Sequence, residues 1–139
     1  MIPAVLDCNV IVSAIGWGGN PRMVLDAVFA GLVEAVASDD IWNEYEVRVP
    51  EVLAAARRNA DSAPTLGRLL AIARLVEPAP LGRRRSRDPK DDIYLAAALA
   101  AGACIVTNDR DLLDLGKPFG VPILTPVEFL RKLRDQSFR

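Results

Sequence analysis

Three features predict an α/β domain of three layers, α/β/α, with a mainly parallel sheet between its helices. Short apolar runs suited to buried strands alternate with stretches whose apolar residues recur at helical spacing. An alanine-rich segment near Ala96 is apolar almost all round, as a central helix packed on a sheet should be. Carboxylates stand at the edges of the apolar runs, and open α/β sheets bind ligands beyond the carboxyl ends of their strands.

Pro3 to Asp7 reads as a buried strand, with Val10-Ile11-Val12 as its possible continuation before the loop Gly16-Trp17-Gly18-Gly19-Asn20. Asn20 suits a helix cap and Pro21 the first turn of a helix that stops at Gly31. Leu32 to Ala37 reads as a second strand. Ser38 caps a helix carrying Ile41, Glu44 and Tyr45, and Pro50 is expected to end it and start another through about Arg58. The spacing of Leu66, Leu69, Leu70 and Ala73 predicts a helix over 63–74, and Leu75 to Glu77 fits a short strand.

The segment 78–87 is irregular, with prolines, a glycine and several arginines; it reads as a loop and not a domain linker. Asp88 and Pro89 form a strong helix start, and Gly102 the stop. Beyond it lie an expected strand over 103–107, a short helix over 109–115, a strand over 121–124 and a last helix over 126–133 capped by Thr125.

A chain of 139 residues fits one domain, 1–139, and at 51% hydrophobic residues it has the material for a real core. With 25% charged residues and a net charge of −1, it resembles neither a disordered chain nor a strongly basic protein that coats nucleic acid. The N-terminus has no basic leader or cleavage site, and no apolar run is long enough for a membrane span, so a cytoplasmic location is expected. Cys8 and Cys104, both placed at strand ends, fit reduced core thiols.

Four acidic motifs carry the chemistry: Leu6-Asp7-Cys8-Asn9, Ile41-Trp42-Asn43-Glu44, Asp88-Pro89-Lys90-Asp91-Asp92 and Thr107-Asn108-Asp109-Arg110-Asp111. Asp7, Glu44, Asp91 and Asp109 are each placed where the sheet's carboxyl edge can collect them. Crowded carboxylates repel one another unless a cation or protons intervene. The chain has no histidine, so such a site is built from oxygen donors, which suit Mg²⁺ or Mn²⁺. A divalent ion there activates water and stabilises charge on a phosphate. Each acid also has a structural reading. Asp109 serves as a helix cap, Asp88 with Asp91 resembles a capping box, and Asp92 adds favourable charge at a helix start. Glu44 reads as a solvated helix residue. Asp7 is hardest to explain structurally, because it interrupts an apolar run where an unpartnered carboxylate is costly.

Taken together and in order, these motifs resemble the PIN-domain nucleases, specifically the PIN-family toxins related to the VapC-type toxins of toxin–antitoxin systems. The resemblance extends from Ala4 to about Leu130 and includes Thr125-Pro126-Val127-Glu128-Phe129-Leu130, which looks like the family's closing helix. It implies a PIN-like fold and metal-dependent cleavage of RNA. Asp7, Glu44, Asp91 and Asp109 would be catalytic and would hold the metal. Asn9 would support the first acid and Thr107 the last, with Asp92 and Asp111 as neighbouring acids. A small antitoxin protein and a homodimer are also implied. Two departures stand out: Cys8 replaces a common small hydroxyl residue, and Pro50 is expected to shorten the helix bearing Glu44.

Arg85 and Arg87, in the run that begins Arg83-Arg84, are candidates for gripping RNA phosphates, as is Arg22; the alternative is a solvated loop. Trp17 suits stacking on a base or on its own core. Other readings fit less well. Phosphatases with a nucleophilic aspartate want Asp-x-Asp, but Asn9 occupies the third position. Receiver-type signalling domains want a lysine after a late strand, whereas Lys117 precedes Pro118 in a loop. A non-catalytic PIN-like scaffold and a housekeeping RNA-processing nuclease remain as alternatives to the toxin.

Overall fold

The computed structural model describes residues 1–82 and 89–137. Five strands, β1 (Ile2–Leu6), β2 (Val33–Ala37), β3 (Arg74–Leu75), β4 (Cys104–Val106) and β5 (Ile123–Leu124), form one sheet in the order β3-β2-β1-β4-β5. All the described pairings are parallel. Seven helices are described: α1 (Cys8–Gly16), α2 (Gly19–Phe29), α3 (Asp39–Ala55), α4 (Ala63–Ile72), α5 (Pro89–Ala101), α6 (Arg110–Leu113) and α7 (Pro126–Ser137). They complete a three-layer α/β/α fold. No helix among the described residues is long and apolar enough to cross a membrane.

β1 is central because both its neighbours in the sheet are strands and its last three residues are fully buried. Ala4, Val5 and Leu6 lie opposite Cys104, Ile105 and Val106 of β4. The chain leaves β1 toward β2 on one side, whereas β4 lies on the other. The strand order therefore reverses between β1 and β4, the switch point where open α/β sheets form a crevice.

The alanine-rich helix α5 packs over β1, β2 and β4. Tyr94, Leu95, Ala96, Ala97 and Ala98 are consecutively buried, so its all-round apolar character does reflect a central position. Gly102, at φ +63°, reverses the chain at the end of α5, and Ala103 N–H then bonds the Ala98 carbonyl. At α7, Thr125 and Glu128 form a reciprocal capping box. The Glu128 N–H donates to Thr125 Oγ1 at 3.2 Å, and the Thr125 N–H to Glu128 Oε1 at 3.0 Å.

Several expected boundaries are corrected. Val10, Ile11 and Val12 do not continue β1; they are buried residues of α1, and Cys8 begins that helix instead of ending a strand. A short helix buried on most sides loses the 3.6-residue pattern that would distinguish it from a strand. The cap of α2 is Gly18 and not Asn20, which already lies inside the helix. α4 ends at Ile72, so Arg74 belongs to β3.

Pro50 does not divide the helix bearing Glu44. α3 runs unbroken from Asp39 to Ala55 with Pro50 inside it. Proline removes the bond to the Glu46 carbonyl, but both residues are exposed, where water can satisfy that carbonyl. Val49 and Leu53 anchor the helix on its buried side. Pro50→Ala restores the missing donor and relieves the ring clash. It should raise stability, by up to about 3 kcal/mol from the interior-proline penalty. An unchanged or lower thermal midpoint would show that the proline is accommodated without cost.

Candidate active site

Asp7 sits at the switch point, immediately beyond β1. Its N–H continues the ladder to the Val106 carbonyl at 3.0 Å, and its side chain then caps α1 through the Asn9 N–H at 3.4 Å. Strand and helix thus meet with no intervening loop. Across the crevice, the buried Thr107 hydroxyl donates to Asp7 Oδ2 at 2.7 Å and accepts from the Asp109 N–H at 2.9 Å. Two tyrosines hold the backbone on either side of Asp7. Tyr45 of α3 donates its hydroxyl to the Leu6 carbonyl, and the Cys8 N–H donates to Tyr94 Oη of α5 at 3.2 Å. Both tyrosines are buried, so Asp7 is fixed by four elements besides its own.

Asp7, Glu44, Asp91 and Asp109 all line one cavity of about 100 Å³, together with Cys8, Asn9, Arg48 and Tyr94. Each comes from a different position in the fold. Glu44 lies on the second turn of α3, Asp91 in the first turn of α5, and Asp109 at the cap of α6, where it accepts from the Asp111 N–H at 3.0 Å. Asp91 is buried, as is Asp7, whereas Glu44 and Asp109 are half-buried. Arg48 Nε stands 4.0 Å from Glu44 Oε1. The acids share a cavity without closing on a single point. Among the described residues, no three His, Cys, Asp or Glu side chains form a ready-made ligand cluster.

Burial raises the Asp7 carboxyl above its usual range; the bonds from Thr107 and Asn9 oppose this, and the Asp109 charge adds to it. The Cys8 thiol is pushed up to about 12, by burial first and then by Glu44 and Asp7, with Arg48 pulling the other way. It therefore stays protonated at neutral pH and is neither a thiolate ligand nor a nucleophile. Burial likewise raises Tyr45 and Tyr94, keeping both as neutral phenols. Among the described residues, what remains at the cavity is a set of hard oxygen donors with one guanidinium. That donor chemistry fits Mg²⁺ or Mn²⁺, and the open spacing fits an ion that keeps part of its water shell.

The PIN domain model matches residues 3–111. The chain belongs to the PIN domain family. The stretch matched includes all four cavity acids of this PIN domain. Two solved structures share its fold. One is PAE2754 from Pyrobaculum aerophilum, with 18% identity, a TM-score of 0.63 and coverage of 97% of this chain and 91% of that one. The other is VapBC2 from Rickettsia felis bound to a DNA fragment from its promoter, with 13% identity, a TM-score of 0.53 and coverage of 89% and 98%. No curated protein matches.

Within this PIN domain, the residues singled out by sequence fall into three groups. Asp7, Glu44, Asp91 and Asp109 meet at the cavity; Asp92 is half-buried beside Asp91 and does not line it. Asn9 and Asp111 each contribute a backbone N–H to a cap, Asn9 to Asp7 and Asp111 to Asp109. Thr107 differs from the expectation: its hydroxyl donates to the first acid, Asp7, and meets Asp109 only through the backbone. Arg22 lies apart from the cavity, paired with Asp26 at 3.0 Å. Trp17 is 52% exposed, with the Arg58 guanidinium 4.5 Å from its ring centroid. Arg85 and Arg87 lie outside the described residues, as does Asp88.

Sequence reasoning missed Arg48, Tyr45 and Tyr94. Helical spacing offered a signal for two of them, since Arg48 follows Glu44 by four residues and Tyr94 follows Asp91 by three.

Asp7 has a raised folded-state pKa, so its favourable protonation term is present in acid and lost as the pH rises through that pKa. Its ionised form therefore lowers stability near neutrality. With chelator present, Asp7→Asn should be more stable than the native chain near neutral pH, because asparagine still caps α1. The advantage should vanish as the pH falls into the carboxylate range. Asp7→Ala should be less stable than Asp7→Asn by about 1 kcal/mol through loss of the cap. Denaturant unfolding at both pH extremes checks the order; an Asp7→Asn advantage that grows in acid would contradict it.

Proposed function

We propose that this PIN domain is a Mg²⁺- or Mn²⁺-dependent endoribonuclease that hydrolyses RNA phosphodiester bonds, and that it acts as the toxin of a toxin–antitoxin pair. The observation that carries this reading is the shared cavity, which carboxylates from four separate elements line at the switch point of a parallel sheet. A structural role explains the caps at Asp7 and Asp109, but not why Glu44 and Asp91 line the same space.

Asp7, Glu44, Asp91 and Asp109 would hold the metal, with Asp7 the most firmly positioned. When bound, the ion supplies a water of lowered pKa and offsets charge on the phosphate. Thr107 fixes the Asp7 carboxylate, and the two tyrosines keep its backbone from moving away from the cavity. Such rigid placement is what positioning of a reacting group requires.

The VapBC2 structure is a complex, and by that analogy a small antitoxin protein would silence this chain. An arginine or lysine inserted by the partner would pair with the cavity acids and displace metal. A homodimer is proposed on the same analogy. α2 leaves Met23 exposed and α4 leaves Leu70 and Ile72 exposed, apolar side chains that such a pairing could cover. Sedimentation across a concentration series checks it; a constant monomer would remove the dimer from the proposal.

The decisive assay incubates the protein with single-stranded RNA and Mg²⁺ or Mn²⁺. Cleavage should appear with metal, stop with excess chelator, and fall by at least about 100-fold in Asp7→Asn and Asp91→Asn while both variants remain folded. Cleavage that persists in chelator would overturn the metal dependence. A folded protein with neither RNA cleavage nor metal binding would point to the non-catalytic scaffold. Expression should arrest growth, with rescue by a neighbouring small protein and no arrest from Asp7→Asn. Harmless expression of an active enzyme would favour a housekeeping nuclease.

A further inference from the structure

We propose that Arg48 is a substrate-contacting residue, whose guanidinium holds a phosphate of the RNA strand beside the acidic cavity. This rests on the nuclease reading above and adds to it a residue outside the acidic quartet.

Arg48 lies one turn beyond Glu44 on α3 and is the only cation among the described residues that line the cavity. Its contact with Glu44 is loose. At the same i,i+4 spacing, Arg22 and Asp26 meet at 3.0 Å, whereas Arg48 Nε stops 4.0 Å from Glu44 Oε1. Its other neighbour is the Cys8 sulfur, a weak acceptor. The Arg48 side chain is 40% exposed and that of Glu44 is 17%, so the acid is held inward and the guanidinium remains accessible to a ligand.

A guanidinium has five donors in a planar fork that matches phosphate geometry. One 4.0 Å contact and one thiol make little use of that fork. The opposite requirement comes from the substrate. A polyanion approaching a cavity of carboxylates is repelled, even with the reacting phosphate neutralised by metal. A fixed cation on the cavity wall counters that repulsion and sets the register of the strand, as phosphate contacts do. If Arg48 served only as a counter-ion for Glu44, a tight carboxylate pair would serve better than the observed separation.

The test uses fluorescence anisotropy of a 5′-labelled single-stranded RNA over a salt series in Ca²⁺, with the full chain, Arg48→Gln and Arg48→Lys. Arg48→Gln should weaken binding several-fold and make the log–log salt slope shallower by about 0.7, the value for one single-strand phosphate contact. Arg48→Lys should keep the slope and lose part of the affinity, because lysine retains charge without the fork. Mn²⁺ titration of the same variants provides the contrast. An unchanged RNA slope in Arg48→Gln, with or without tighter Mn²⁺ binding, would reduce Arg48 to a counter-ion of Glu44 and overturn the proposal. A native chain that neither binds nor cleaves the strand would overturn the nuclease reading itself, and the role of Arg48 with it.

Discussion

The hydrogen bond from the Thr107 hydroxyl to the Asp7 carboxylate joins the ends of β1 and β4 at the place where the sheet reverses its strand order. Much of the architecture depends on that junction. The same Asp7 side chain starts α1, and the same Thr107 hydroxyl orients Asp109 at the start of α6. One pair of side chains therefore sets the direction of two helices and brings two of the cavity acids together. The structural and chemical readings of these residues do not compete. A carboxylate can cap a helix with one oxygen and face a cavity with the rest of its capacity.

How much of this was legible in the sequence depended on how local the cause was. Alternating apolar runs and helical spacings identified the layers, because those patterns follow from burial on one face at a time. The caps at Ser38 and Thr125 were legible because each hydroxyl acts within three residues. The helical state of Val10 to Val12 was hidden, since a segment buried on most sides has no period to read. Pro50 misled for a related reason. Its effect is local, whereas the helix is anchored along its buried side by Val49 and Leu53.

At the site, the chain order of the motifs was sufficient to list the acids that meet, and counting back from Gly102 favoured Asp91 over its neighbour. The turn of α5 that buries Tyr94 places Asp91 on the cavity side and leaves Asp92 off it. The Tyr45 and Tyr94 contacts span 39 and 86 residues, and no local pattern encodes such distances. Arg48 belongs to an ordinary helical pair by spacing, and only the position of α3 in the fold turns that pair toward a shared cavity.

The buried acid explains the arrangement around it. Burying a carboxylate carries a large desolvation cost, which rises further when another charge of the same sign stands close by. Thr107 and the amide at Asn9 recover part of that cost, yet the Asp7 carboxyl remains raised above its usual range. A fold selected for stability alone would use a neutral cap there, since asparagine bonds the same amide without a buried charge. Retaining the acid makes sense when a ligand of opposite charge completes the balance. The two tyrosines then acquire a clear purpose. Hydrogen bonds to the Leu6 carbonyl and from the Cys8 amide hold the backbone on both sides of Asp7. Asp7 is thus held at the cavity by neutral, buried phenols that add no charge of their own.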